Sequence, residues 1–236
     1  MFLKKSKNSE ALKKAFIASL PVMAGYSVLS IGFGILLNSK GFGVGWALAM
    51  SVFIYAGSMQ YLAVELLAGG VSLITAALTA LMVNARHLFY GVSMIERYKN
   101  AGKKKPYMIF ALTDEVFSLC CGEPPAGVEN KHLYYFLVSL FNQCYWVIGS
   151  VIGSLIGNII PFSTEGIDFA LTALFVTVFI DQWRNTDNHK PAITGILASA
   201  VCLLIFGADN FLIPAMLVII IVLSLGYRRK ESGQNA

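Results

Sequence analysis

The chain alternates long apolar runs with short polar breaks, and most of the runs are as long as a membrane crossing. The first extends from about Ala15 to Leu37, with Pro21 in its opening turns, where a missing N–H costs little. The second, Trp46 to Ala68, is interrupted by Tyr55-Ala56-Gly57-Ser58-Met59-Gln60 and carries Glu65. Gly69-Gly70 divides it from the third, Val71 to Met94, after which comes a polar loop, Glu96 to Pro106. The fourth block, Tyr107 to Cys121, contains Thr113-Asp114-Glu115. The fifth, Leu133 to Ile160, carries Asn142-Gln143 in its front half and is dotted with Gly149, Gly153 and Gly157. The sixth, Gly166 to Trp183, holds Asp181 at its end, and Pro191 to Phe206 and Phe211 to Tyr227 are plain apolar spans. About 20 residues at 1.5 Å rise cross a bilayer. The pattern therefore predicts an all-α polytopic transmembrane helical bundle, a single domain over 1–236 with about 7–8 membrane segments.

An internal echo suggests a duplicated three-segment unit with broken helices. Ala77 to Val83 resembles Ala170 to Val176, and Phe53 to Ser58 falls opposite Tyr145 to Ser150. The repeats expected on this basis cover about 15–95 and 107–183, followed by two C-terminal spans over 191–227. Repeats with a broken helix in matching positions are a mark of secondary transporters.

Charge sets the orientation and raises a difficulty. Lys4, Lys5, Lys7, Lys13 and Lys14, the lysines and arginine of 97–105, and Arg228 to Lys230 all belong on the cytoplasmic side by the positive-inside rule. The basic N-terminal end precedes an apolar run too long for the core of a cleaved leader, so both termini are expected to be cytoplasmic. Yet three simple crossings would place the N-terminus and the 97–105 loop on opposite sides. One resolution is that the second and fifth blocks dip in and return, near Gly57 and near Gly149; the other is that one loop breaks the charge rule within an inverted repeat.

Composition narrows the class. Of 236 residues, 56% are hydrophobic and 13% charged, against about 25% charged in a soluble domain, and the net charge of +5 sits in clusters at the ends of apolar runs. That excludes a nucleic-acid surface and favours lipid. The four cysteines lie in apolar stretches without metal-ligand spacing, so no metal or cofactor is expected. No GxxxxGK[ST] loop is present, so the chain has no nucleotide site of that type.

The candidate chemistry lies in polar groups held at membrane depth, which are expensive there and face a protein interior or a wet cavity. Asn84, Arg86, His87 and Tyr90 end the third block. At three- and four-residue spacing Asn84, His87 and Gly91 line one helix face and Arg86 and Tyr90 the next, with a guanidinium fork suited to a carboxylate. The bland alternative is a snorkelling arginine near a helix end. Tyr55, Gly57, Ser58 and Gln60 mark a place where a helix breaks and exposes backbone groups, or merely packs closely. Asp114, Asp181, Glu115 and Glu65 are candidates for a substrate ammonium or for a proton, or for structural ion pairs with Arg86 or Arg184. A Ser58–His87 dyad lacks any oxyanion-hole motif, which argues against an enzyme.

These same residues carry a resemblance. Gly32-Phe33-Gly34, Tyr55 to Gln60, Asn84 to Gly91 and Thr113-Asp114-Glu115 resemble the AzlC family, the large subunits of bacterial branched-chain amino acid exporters. The resemblance covers most of the chain up to about Trp183. It implies a secondary transporter in the bacterial inner membrane that exports valine, leucine, isoleucine and analogues with a small hydrophobic partner of the AzlD type. The substrate site expected from it comprises Tyr55, Gly57, Ser58, Gln60, Asn84, Arg86, His87, Tyr90, Asp114 and Asp181, with Phe33, Tyr55 and Phe89 shaping an apolar pocket. His87, Glu115 and Glu65 are the proton-coupling candidates. Rival readings are the permease subunit of an ATP-driven amino acid transporter and a passive amino acid channel.

Overall fold

The computed structural model describes residues 7–159, 176, 179–180, 183–184, 186–207, 211, 214–215, 217–223 and 225. It falls into two units, Met1–Leu174 and Phe175–Ala236. The first contains α1 (Lys7–Ser39), α2 (Val44–Phe53), α3 (Gly57–Ala68), α4 (Leu73–Met94), α5 (Lys105–Phe110), α6 (Asp114–Cys120) and α7 (Lys131–Ile159). In the second, α8 (Lys190–Phe206) starts with Pro191 in its first turn and stops at Gly207, whose φ of 74° favours glycine. The described elements are all helical; three helices, α1, α4 and α7, are long and apolar enough to cross a membrane.

The frame of the first unit is α1 packed against α7. Their contacts climb together: Phe16 meets Phe141, Ser19 meets Tyr145, and Asn38 lies against Gly157, so the two helices run parallel. Small residues let the backbones touch, as is usual between helices in lipid. A Cβ at Gly153 would overlap the Ile31 carbonyl, and one at Gly34 the Ser150 carbonyl.

Between these two helices and α4 sit two helical hairpins, and neither crosses. The α2 helix starts beside Phe42 at the C-terminal end of α1 and descends until the Val52 carbonyl meets Gln143 of α7. The chain turns over residues 54–56, with Tyr55 at φ 43°, an uncommon conformation for a bulky residue. Then α3 climbs back along α1: the Tyr61 hydroxyl donates to the Leu29 carbonyl at 2.6 Å, and Glu65 pairs with Lys40 at 3.2 Å. The ten residues of α2 and twelve of α3 thus form a re-entrant pair that enters and leaves at one end.

The second hairpin approaches from the other end. Tyr107 of α5 packs on Phe136 of α7, its hydroxyl reaches Gln143, and Phe110 meets Tyr55. The turn spans 111–113, where the Thr113 side chain caps α6 by accepting from the Val116 N–H. The α6 helix descends beside α4: Tyr90 stacks on Phe117 at 4.4 Å, and Arg97 donates to the Gly122 carbonyl. The second turn is buried throughout, at Ala111, Leu112 and Thr113, and the first buries Tyr55 while Ile54 and Ala56 face a cavity. That is the condition under which non-helical backbone is tolerated at membrane depth.

Re-entry in the second block therefore removes the orientation difficulty. Lys14 reaches the Ala126 carbonyl and Asn130 reaches Asn8. Ala11 and Ala15 share a buried cluster with Tyr98 and Ala101. Lys13, Lys14, the 97–105 cluster and the 122–131 loop thus lie at one end, as the charge rule expects, while Lys4, Lys5 and Arg228 to Lys230 lie outside the described residues. In that loop Glu123 pairs with Lys131 at 2.7 Å, and the bond from Lys131 holds its carboxyl below the usual range.

Two expectations are corrected. The fifth block does not dip near Gly149: α7 is continuous there, because Gly149 serves to admit Ser30 of α1 rather than to break the helix. The second re-entrant element is instead the fourth block, residues 105–120. The echo that set 53–58 opposite 145–150 consequently aligns a turn with helix interior, and its other limb, 170–176, lies almost wholly outside the described residues. What recurs is a hairpin followed by a crossing helix, α2–α3–α4 and then α5–α6–α7, traversed in opposite directions.

Candidate functional site

Both hairpin turns end at the same depth, and Arg86 of α4 joins them. Its Nη2 donates to Ser58 Oγ at 2.8 Å, in the first turn of α3, and its Nη1 pairs with Asp114 Oδ2 at 3.1 Å, the first residue of α6. A guanidinium in a low-dielectric setting is stabilised by such partners and would be costly without them. The arginine therefore does not snorkel; it is a cross-brace between two turns. The first turn of α3 has no side-chain cap, so its leading N–H groups add their own positive field beside it.

Several polar atoms here are buried and lack a protein hydrogen-bond partner: Arg86 Nε, Asp114 Oδ1, Asn84 Oδ1 and the Tyr55 hydroxyl. Buried polar groups are nearly always satisfied, so a cluster of unsatisfied ones marks a place where water or a ligand supplies the bond. A cavity of about 230 Å³ adjoins two of them, Asn84 and Tyr55. Its walls are the turn residues Ile54, Tyr55 and Ala56, the opposing Ile109, Phe110 and Leu112, and Asn84, His87 and Gly91 of α4. It is thus mainly apolar with a few convergent polar groups, and smaller than the ~300–1,000 Å³ of drug-sized sites.

The other predicted residues are placed apart from one another. His87 lines the cavity, with Nδ1 3.2 Å from the Asn84 carbonyl, and its ring meets Tyr90 at 5.9 Å. Gly57 lies against Trp146, where a side chain would not fit, so it shapes the turn rather than offering a group. Gln60 is fully buried and donates to Ser51 within the first hairpin, two residues on from Ser58 and so turned away from the Arg86 contact. Glu65 is remote, paired with Lys40 at the far end of α3. Asp181 lies outside the described residues. Phe89 stands on the outer face of α4 at 71% exposure, and Phe33 is core packed on Tyr61 and Trp146; neither lines the cavity, whose apolar wall comes from Ile54, Phe110 and their neighbours.

Glu115 faces away from its neighbour Asp114, as adjacent residues on a helix must. It accepts from the Tyr26 hydroxyl of α1 at 2.5 Å, and Tyr26 lies 3.0 Å from Thr113 Oγ1. Tyr26 is the functional candidate that sequence reasoning missed. Its signal was a single tyrosine among small residues, Gly25 and Ser27, in an otherwise apolar span.

The sequence model of a family described as AzlC protein matches residues 21–160, which hold both hairpins, α4 and all of α7. The chain is 44% identical over 223 residues to the branched-chain amino acid transport protein AzlC of Bacillus subtilis, covering 94% of this chain and 87% of that one. It is 40% identical over 223 residues to an uncharacterized membrane protein of Helicobacter pylori, covering 94% and 97%. To the inner membrane protein YgaZ of Escherichia coli it is 28% identical over 207 residues, covering 85% and 82%. No solved structure matches the chain.

Proposed function

The chain belongs to the AzlC family, and on that footing we propose that it is the large subunit of a secondary transporter exporting branched-chain amino acids across the cytoplasmic membrane. It is a transport protein rather than an enzyme. A small, very hydrophobic membrane subunit of the AzlD type completes the transporter. Valine, leucine, isoleucine and their analogues are the substrates.

The observation that carries this reading is the Arg86–Asp114 pair at the junction of two re-entrant turns, beside an apolar cavity. A zwitterion matches it in charge and order. The substrate carboxylate takes the Arg86 fork and the Ser58 region, and the ammonium takes Asp114. The exchange leaves no net charge buried, because one neutral pair replaces another. The branched side chain then rests between Ile54 and Phe110. Since the two partners of Arg86, Ser58 and Asp114, belong to different hairpins, drawing Arg86 onto the substrate frees one turn from the other. That supplies the moving part of alternating access.

His87 and Glu115 are the proposed proton-coupling groups, one at the cavity and one bonded to Tyr26 behind it. Glu65 fits that role less well, given its distance and its lysine partner. Lys13, Lys14 and the 97–105 cluster, which share one end, support a cytoplasmic N-terminus by the positive-inside rule, and Arg228 to Lys230 support the same side for the C-terminus by sequence alone.

Counterflow of labelled valine in membrane vesicles, with the small subunit co-produced, tests the reading. Saturable counterflow without ATP, lost in Arg86→Ala at equal membrane abundance, is the expected result. A requirement for ATP would favour a permease, unsaturable flux a channel, and undiminished counterflow by the variant would remove Arg86 from the site. A second arm with an imposed pH gradient tests proton coupling.

A further inference from the structure

Arg86 has a counterpart on the opposite side of the two hairpins. Gln143 of α7 is buried, and its two amide ends go to different hairpins. Its Nε2 donates to the Val52 carbonyl at 3.2 Å, on the descending limb of the first. Its Oε1 accepts from the Tyr107 hydroxyl at 2.7 Å, on the incoming limb of the second. The Val52 carbonyl can only accept, which fixes the amide orientation. Arg86 does the same from α4, tying Ser58 of α3 to Asp114 of α6 on the outgoing limbs. The register agrees: Arg86 comes 29 residues after Gly57, where α3 starts, and Gln143 comes 29 residues after Asp114, where α6 starts. The two crossing helices that follow the hairpins, α4 and α7, thus each carry a long polar side chain, at the matching position, that bridges both re-entrant elements.

We infer that Gln143 is a positioning residue: it holds the two turns together from the α7 side, as the second of two polar ties that the transport cycle must loosen. Both ends of its amide are spent on the hairpins, so it acts on their movement and not on substrate. The rate assignment rests on the transport reading above; the tie between hairpins does not. A glutamine suits the role because it binds both hairpins with neutral hydrogen bonds, each of modest net strength and reversible. Its neighbour Asn142 spends its amide on the Val138 carbonyl of its own helix and joins nothing else.

The test uses Gln143→Met, which keeps the length and removes both bonds, and Tyr107→Phe, which removes one. With the native cysteines replaced, Ala56→Cys reports on the first turn through its rate of modification by a small thiol reagent in membranes without substrate. A parallel background that keeps only Cys120, buried at the far end of α6, reports whether the fold is intact. Gln143→Met should raise the Ala56→Cys rate by about tenfold while Cys120 stays protected, the scale expected on losing two neutral hydrogen bonds. Tyr107→Phe should give a smaller rise, and the double variant no more than Gln143→Met alone. In valine counterflow the maximal rate should change by several-fold, with half-saturation held within about twofold, the split expected when substrate contacts are untouched. An unchanged Ala56→Cys rate, or a rise shared equally by Cys120, overturns the tie. A shifted half-saturation at an unchanged maximal rate overturns the positioning role and makes Gln143 a binding residue. If the wild type shows no counterflow at all, the transport reading fails while the labelling result still decides the tie.

Discussion

Asp114→Asn isolates the ammonium half of the proposed site. The carboxylate lies 3.1 Å from Arg86 Nη1, with side-chain exposures of 18% and 30%. At that distance and an effective dielectric of about 20, the attraction is about 5 kcal/mol before desolvation is subtracted. Removing one partner of a fully buried pair costs about 3–5 kcal/mol, and the partial exposure here places the loss near the low end, about 3 kcal/mol. An asparagine oxygen still faces Arg86, so the guanidinium keeps a hydrogen bond and its bond to Ser58. What vanishes is the anion that would receive a substrate ammonium. A loss of about 2 kcal/mol at that contact corresponds to a rise of about thirtyfold in half-saturation for valine. The assay is counterflow in vesicles, with a branched 2-oxo acid as competitor. That acid keeps the carboxylate and the side chain but has no ammonium. In the wild type it competes poorly, since Asp114 is left without a cation; in Asp114→Asn it should compete about as well as valine. If valine affinity is unchanged, or if both ligands weaken equally, Asp114 does not hold the ammonium and the exchange of one neutral pair for another is wrong.

Further outcomes follow from the same geometry. Gly153→Val places carbon atoms on the Ile31 carbonyl, and forcing α1 from α7 should cost about 1–3 kcal/mol, read as a lower thermal transition of the purified protein. A transition equal to the wild type would contradict the close approach. Lys103→Cys should react with an impermeant thiol reagent from the same membrane face as the N-terminus, and Lys40→Cys from the opposite face, because α2 and α3 return to the end they left. Reaction of both from one face would mean that the second block crosses. Tyr26→Phe leaves Glu115 without its 2.5 Å donor, an omission worth about 1–3 kcal/mol. It should slow counterflow driven by a pH gradient more than counterflow without one, and equal slowing would make the Tyr26–Glu115 bond structural.

Much of the site was legible before any fold was known, because polar side chains in a membrane-length run need a reason to be there. The Asn84-Ala85-Arg86-His87 stretch, the Tyr55-Ala56-Gly57-Ser58 interruption and Thr113-Asp114-Glu115 each announced themselves against an apolar background, and the structure brings Arg86, Ser58 and Asp114 together. Other features left less trace. Glycines at Gly57 and Gly149 look alike in sequence, yet one ends beside a turn and the other admits a neighbouring helix. Nothing local separates those uses; the partner surface does. The fourth block gave no glycine or proline at its break over 111–113, so its re-entry was hidden behind an ordinary apolar run.

Hydropathy by itself settled that this is a helical membrane chain and where its polar islands fall, and charge set the expectation for its orientation. Both properties are summed over local residues, which is why a linear reading suffices for them. Tertiary structure alone decided that, among the described residues, the second and fourth blocks turn back. A short helix in lipid must have its exposed backbone enclosed by other segments, and that enclosure is built from residues distant in the chain. Here α1, α4 and α7 supply the enclosure, and only their packing makes Arg86 a brace between two turns instead of a lone cation near a helix end.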